Sequence, residues 1–308
     1  MKALWRRRAV RHVLLGLLPL LVAGSAVIAV LAVRLAETAG PVRDATARAT
    51  ATVQRAGFGP DRRDIQVTWT DDTGTVRTST VHAVRASDVP VGARIVVRYR
   101  PGDPGRVFVT GDETSARLND LAFGVGLAGF LIIGVLIASA VHIARRLAAE
   151  RQPGTSLPAT YARSRRGLLR RSWLVVEEGG QSWWVSVHWD PVLERLRPGT
   201  PVTVHGRPSR DRVLVADIEG TQVWQAGRRR RTPPPGEVDR AADREPAGGE
   251  LPLTRQFRAD AGLLAAAPLL GLLWAYVDDG GRVSWLLATT IAGAVLFWLP
   301  TVRGSDPT

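Results

Sequence analysis

Two patterns divide this chain. Long apolar runs free of charge are separated by stretches in which apolar and polar residues alternate. The charge-free runs are Val13 to Val33, Leu121 to Ile143, Ala261 to Val277 and Val283 to Val302. Crossing the hydrocarbon core takes roughly 17–25 apolar residues of helix, so each run predicts a transmembrane helix. Between the first two runs, Ile65-Gln66-Val67-Thr68-Trp69-Thr70 alternates strictly, with Ile65, Val67 and Trp69 on one face. Ala47 to Arg55, Thr75 to Val84, Ile95 to Tyr99 and Arg106 to Thr110 are further predicted strands. Asp71 to Gly74 and Pro101 to Gly105 are turn sequences, and Gly supplies a positive φ where one is needed. These elements predict a small antiparallel β-barrel or sandwich with its core in residues 45–112.

The same pattern returns beyond the second apolar run. Trp173-Leu174-Val175-Val176, Glu178-Gly179-Gly180, Arg197-Pro198-Gly199, Val202-Thr203-Val204 and Arg207-Pro208 follow the order of Ile65 to Trp69, Asp72 to Gly74, Pro90 to Gly92, Ile95 to Val97 and Arg100-Pro101. Gly92 maps to Gly199 and Pro101 to Pro208, both 107 positions on. The expectation is a second module resembling the first, with its core in residues 157–224. A single predicted span, 121–143, separates the copies, so they should face opposite sides of a membrane.

Charge orients this arrangement. The chain of 308 residues carries a net charge of +13 and has Lys2 as its single lysine, an Arg bias that points to a GC-rich bacterial genome. Residues 1–12 hold Lys2 and four Arg without an acid, and Arg145, Arg146 and Arg151 follow the second run. Basic flanks stay in the cytoplasm. The N-terminus and residues 144–227 are therefore expected inside, residues 34–120 outside, and the turn 278–282 outside. Residues 303–308 are then a cytoplasmic tail. The first run is longer than a signal peptide's h-region and lacks a clean small-residue cleavage site, so it reads as an uncleaved anchor. Residues 228–260, with Pro233-Pro234-Pro235 and mixed charge, read as a disordered linker. The fold class expected is membrane α + β: four transmembrane helices and two small, mutually similar β-modules on opposite sides.

The first half also resembles a known family. The Asp71 to Gly74 turn, the Val91-Gly92 to Ile95 entry and the Tyr99, Pro101, Pro104 ending resemble bacterial membrane proteins carrying domain of unknown function 3592. The resemblance covers about residues 10–145. It implies an N-terminal helix, an extracytoplasmic β-domain and a second helix, and it implies no activity. The second module and the last two helices depart from that pattern.

Candidate chemistry is sparse. The chain has no cysteine, which excludes disulfides and thiolate chemistry. Its five histidines show no ligand spacing, and His188-Trp189-Asp190 has no nucleophile placed beside it in sequence. No P-loop, G-x-S-x-G or dinucleotide fingerprint is present. No catalytic residue, metal ligand or cofactor is therefore expected. The basic charge comes without a nucleic-acid-binding pattern, so nucleic acid is not an expected partner. Two features distinguish the second module. Arg163, Arg165, Arg166, Arg170 and Arg171 flank Leu168 and Leu169 in a predicted hairpin, a composition suited to anionic lipid headgroups. Trp184 falls on the polar face of its strand with Ser186 and His188, where a partner, the bilayer interface or a covering segment would contact it. The expected role is a non-enzymatic scaffold of the bacterial cell membrane, binding envelope proteins through its two modules. A sensor of anionic lipid is the alternative, and an enzyme or transporter is third.

Overall fold

The computed structural model describes residues 5, 7–84, 89–167, 169–240, 251–278 and 280–307. The contacts divide it into two units, residues 26–130 and residues 1–25 with 131–308. Four helices are long and apolar enough to cross a membrane. Two sheets, both antiparallel, accompany them.

Two long helices, α1 (Arg8–Asp44) and α2 (Glu113–Ala149), each have 37 residues, about 55 Å at 1.5 Å per residue. Both contain a predicted run and extend it at each end into polar sequence. The last pair of helices is less regular. Helix α4 (Leu253–Asp260) passes through a 3-10 segment (Ala261–Ala266) into α5 (Ala267–Asp278), and α6 (Gly281–Arg303) returns. Pro268 stands as the second residue of α5, where its missing N–H leaves a gap in the ladder just behind it. The tighter 3-10 turns fill that gap.

The first unit holds β1 (Ala47–Phe58), β2 (Asp64–Thr70), β3 (Val76–His82), β4 (Arg94–Arg100) and β5 (Asp103–Val109), in the spatial order β3-β2-β1-β4-β5. The alternation read from the sequence is what folds. Ile65, Val67 and Trp69 are buried with Ala51, Val53, Val97 and Tyr99, while Thr70 is exposed. The rings of Trp69 and Tyr99 pack 4.3 Å apart. The edge strands curl toward each other, joined by a bridge between Ala83 and Asp112. In the β2–β3 turn, Asp71 Oδ1 accepts the Thr73 and Thr75 amides and the Thr73 hydroxyl, and Oδ2 accepts Arg77 Nε. Those bonds, led by the Thr73 hydroxyl, hold the Asp71 carboxyl down at about 2.

The second unit holds β6 (Gly154–Arg166), β7 (Leu169–Glu178), β8 (Gln181–Val187), a short helix α3 (Pro191–Arg195), β9 (Thr200–His205), β10 (Val215–Ile218), β11 (Thr221–Trp224) and β12 (Glu237–Arg240). The order β10-β9-β6-β7-β8 repeats β5-β4-β1-β2-β3, with β11 added at the β10 edge and β12 paired to β6. One turn bond also recurs: Gly92 N–H donates to Val53 and Gly199 N–H to Ala159, both glycines having φ above +70°. The chain leaving β11 then runs along the free edge of β8. His188 N–H donates to Trp224, Ala226 N–H to Ser186, and Trp184 and Arg230 exchange both backbone bonds. The sheet thereby closes into a barrel-like form.

This closure corrects the reading of residues 228–260 as a disordered linker. Arg230 forms a bridge with Trp184, β12 is sheet, and Leu253–Asp260 is helix with Gln256 and Asp260 buried. Backbone pairing, together with Arg229 and Arg231 over the Trp183 ring at 5.4 and 5.0 Å, supplies the stabilisation that composition does not advertise. Residues 241–250 lie outside the described residues.

Candidate functional site

The expected lipid-binding hairpin is the β6–β7 connection, and its arginines separate into two groups. Arg163 turns inward. Its guanidinium pairs with Glu194, lies 3.4 Å from Asp306 and donates to the Tyr161 hydroxyl at 3.1 Å. Burial alone would lower its pKa; the Tyr161 oxygen and the carboxylates of Asp306 and Glu194 overcome that and raise it. Arg165 and Arg166 are exposed at the turn, where Arg165 faces Glu237 of β12 in the ladder. Arg170 is exposed and Leu169 half-buried; Leu168 lies outside the described residues. Arg171 is half-buried, and desolvation with the nearby Arg303 and Arg230 lowers its pKa.

Trp184 is not a surface residue. It is 3 % exposed and packs with Ala162, Trp173 and Val238 in a second small core outside the barrel interior. Val238 of β12 packs against this cluster, and the Trp184 backbone pairs with Arg230. One-face-in, one-face-out reasoning fails because Ala162, Trp173 and Val238 pack with Trp184 on that face.

A different cluster emerges where the barrel of this unit meets its helix ends. His12 Nε2 of α1 lies 2.7 Å from Asp260 Oδ2, both buried. Arg8 bonds Gln256 of α4 and lies over the Trp189 ring at 4.5 Å. Arg7 pairs with Glu150 beyond α2, and Glu150 also accepts Trp224 Nε1 at 2.6 Å. Arg146 of α2 sends Nε to the Gln225 carbonyl at 2.7 Å, one terminal nitrogen to the His142 carbonyl and the other to Ala226. From the C-terminal tail, Asp306 Oδ2 accepts the Tyr161 and Ser172 hydroxyls at 2.9 and 2.8 Å. Burial, with Asp306 and Glu194 adding negative charge, pushes the Tyr161 hydroxyl well above its ordinary range, so it stays a donor. Gly304, with φ +71°, lets the tail approach so closely that a Cβ would lie 2.6 Å from Ala226 Cβ.

The cluster also brings together two histidines that sequence spacing did not connect. His142 Nε2 and His188 Nε2 are 3.1 Å apart, one donating to the other, and both are buried. His188 Nδ1 has no hydrogen-bond partner among the described residues. Asp190 is occupied in capping α3 through the Val192 amide, and His205 Nδ1 bonds the Gln152 carbonyl at 2.8 Å. The His188-Trp189-Asp190 triplet is thus a strand end followed by a helix cap. No group of three metal-ligating side chains occurs among the described residues.

Burial, with unfavourable interactions with His142, Arg146 and His12 adding to it, lowers the pKa of His188 well below the ordinary 6.5. The unfolded chain therefore binds a proton that the folded chain refuses. Stability contributed by neutral His188 is intact above pH 6.5 and drains as pH falls below it. Relative to His188→Gln, the wild type should lose roughly 1 kcal/mol on going from about pH 6.5 to about pH 5.5. Paired denaturant titrations at the two pH values check this, and parallel profiles would refute it.

Two clefts bear on ligand binding. The larger, about 570 Å³, lies in the first unit between Arg34, Glu37 and Arg117 of the helices and Arg106 and Phe108 of β5. Its charges alternate in sign, and Asp112 at its edge is held by the Val109 and Ser115 amides. The smaller, about 260 Å³, lies in the second unit among Arg170, Arg255, Arg258 and Ser305. Comparison with known protein families, with characterised proteins and with solved structures found no match for this chain.

Proposed function

We propose that this chain is a multi-pass protein of the bacterial cell membrane that presents two β-modules, one on each face, as non-enzymatic interaction surfaces. On this reading both termini and the second module are cytoplasmic, the first module is extracytoplasmic, and the modules arose by duplication. The observation that carries it is the polar cluster of the second unit. Side chains from α1, α2 and the tail after α6 engage one barrel, and α4 is tied to α1 and the tail, which supports a module docked on its helices and not a tethered domain. A surface fixed to transmembrane helices suits a scaffold, because binding there bears directly on the membrane segments.

Further support comes from connectivity. Between Val109 and Gly154 the one long helix is α2; were it to cross a membrane once, what precedes and follows it would fall on opposite sides. Its charge-free run is 23 residues, and the extra turns at either end reach past the hydrocarbon core. The shared strand order and the paired glycine turns support duplication. The resemblance of residues 10–145 to proteins with domain of unknown function 3592 supports an envelope setting. Arg146, Tyr161 and Asp306 of the second unit are engaged in holding elements together, which favours a structural over a catalytic use of that cluster.

Because the chain lacks cysteine, single substitutions give clean topology reporters. Val76 and Gln181 are exposed at strand starts of the two sheets. In intact cells a membrane-impermeant maleimide should label Val76→Cys and leave Gln181→Cys unlabelled until the membrane is opened. Labelling of both from outside would overturn the two-sided arrangement. Crosslinking from the same two positions should capture different proteins; capture of none from either would remove the scaffold role.

A further inference from the structure

We propose that the smaller cleft of the second unit is a binding site for one anionic phospholipid headgroup, a phosphodiester bearing a free hydroxyl. This rests on the reading that the helices cross a membrane. The cleft, about 260 Å³, is bounded by Leu169 and Arg170 of the hairpin, by α4, by Pro300 near the end of α6 and by the tail through Pro307. Its depth follows from the sequence. The apolar run of the third span begins at Ala261, directly after Asp260, and that of the fourth ends at Val302. The cleft therefore sits where two spans pass from apolar to polar, which is the level of lipid phosphates.

Its chemistry matches that position. Arg255 and Arg258 are three residues apart on α4 and so share a face, and both are exposed. Among the described residues neither pairs with a carboxylate, and Arg170 adds a third guanidinium. Guanidinium groups match phosphate oxygens in geometry as well as charge. Two carboxylates line the cleft, but Asp260 is engaged by His12, and Asp306 by Tyr161 and Ser172. The cleft also offers hydrogen-bonding atoms with no protein partner. Ser305, only 7 % exposed, has an unbonded Oγ, and Asp260 Oδ1 is likewise buried without a donor. A hydroxyl on the headgroup would donate to Asp260 Oδ1, and Ser305 Oγ would bond the phosphate or the same hydroxyl. Leu169, Ala259 and Pro300 give the acyl side an apolar wall. The recognition surface thus differs from the one expected of the hairpin. Leu169 and Arg170 take part, Arg163 is spent internally, and the main contribution comes from a helix more than eighty residues further along.

The test uses the full-length protein in nanodiscs of equal phosphatidylcholine and phosphatidylglycerol, released into detergent and weighed by native mass spectrometry. The wild type should retain phosphatidylglycerol over phosphatidylcholine at about five to one. Arg255→Gln with Arg258→Gln should return retention to the disc ratio. Arg165→Gln with Arg166→Gln, which removes equal charge at the exposed turn, should leave it unchanged. Retention should survive an excess of glycerol 3-phosphate; loss to that competitor would make a soluble phosphate ester the occupant and overturn the lipid assignment. Wild-type retention at the disc ratio, or equal loss in the turn variant, would also overturn it. Failure of the protein to enter discs would instead remove the membrane reading on which the site depends.

Discussion

Asp306→Ala should destabilise the second β-module by about 3–5 kcal/mol, the range for leaving a buried charge and its donors without their partner. Asp306 is 1 % exposed and comes from the last residues of the chain, yet it receives the Tyr161 and Ser172 hydroxyls and faces Arg163 at 3.4 Å. Removing the carboxylate leaves two buried hydroxyls competing for one another and Arg163 with Glu194 as its remaining carboxylate partner. Asp306→Asn keeps one acceptor oxygen while losing the charge, and should cost roughly half as much. Trp189 is the natural reporter, since its Nε1 donates to the same Glu194 at 2.9 Å. Denaturant unfolding followed by tryptophan emission should show the loss, and deletion of residues 304–308 should reproduce it. A change below about 1 kcal/mol would mean that the tail does not hold the module.

What the sequence disclosed and what it hid differ in physical kind. Ile65, Val67 and Trp69 could be placed on the core face because alternation is local and the opposite face, Gln66 to Thr70, stays partly wet. The apolar runs and the paired turns at Gly92 and Gly199 were legible for the same reason: each is fixed by residues adjacent in sequence. Trp184 obeyed the same alternation and still misled, since Ala162, Trp173 and Val238 of β12 pack on its face. The chain between β11 and β12 carries Arg228 to Arg231 and Pro233 to Pro235, a composition that builds no core, and it is held by backbone bridges at Gln225 and Arg230. The cluster around His12, His142, Arg146 and Asp306 was invisible for a further reason. Its members lie in α1, in α2 and in the tail, and only the docking of helix ends onto one barrel brings them within bonding distance. Single polar residues at the margins of apolar runs were the available signal: His12 directly precedes the first run, His142 and Arg146 end the second, and Asp260 precedes the third. Such residues are costly at a helix end unless something receives them.

Arg146 is the sharpest case and gives the second large effect. Its guanidinium is 7 % exposed and spends three nitrogens on three carbonyls, those of His142 in its own helix and of Gln225 and Ala226 in the segment that closes the barrel. Arg146→Ala should cost about 3–5 kcal/mol, since it leaves a cavity and strips donors from buried carbonyls at one stroke. Arg146→Lys separates these contributions. It keeps the charge and most of the volume, but a single ammonium cannot span the fork from Gln225 to Ala226, so it should recover less than half of the loss. The location of the damage is as informative as its size. Residues 225–230 close the barrel by pairing with β8, and β8 leads to His188 and its bond to His142. Hydrogen exchange in the Arg146 variants should therefore accelerate first in residues 184–188 and 224–230, while β9 and β10 stay protected until global unfolding. Uniform acceleration across the sheet would show that Arg146 supports the barrel as a whole. Selective acceleration would identify it as the bolt between the second helix and the module, the coupling that a membrane-fixed interaction surface requires.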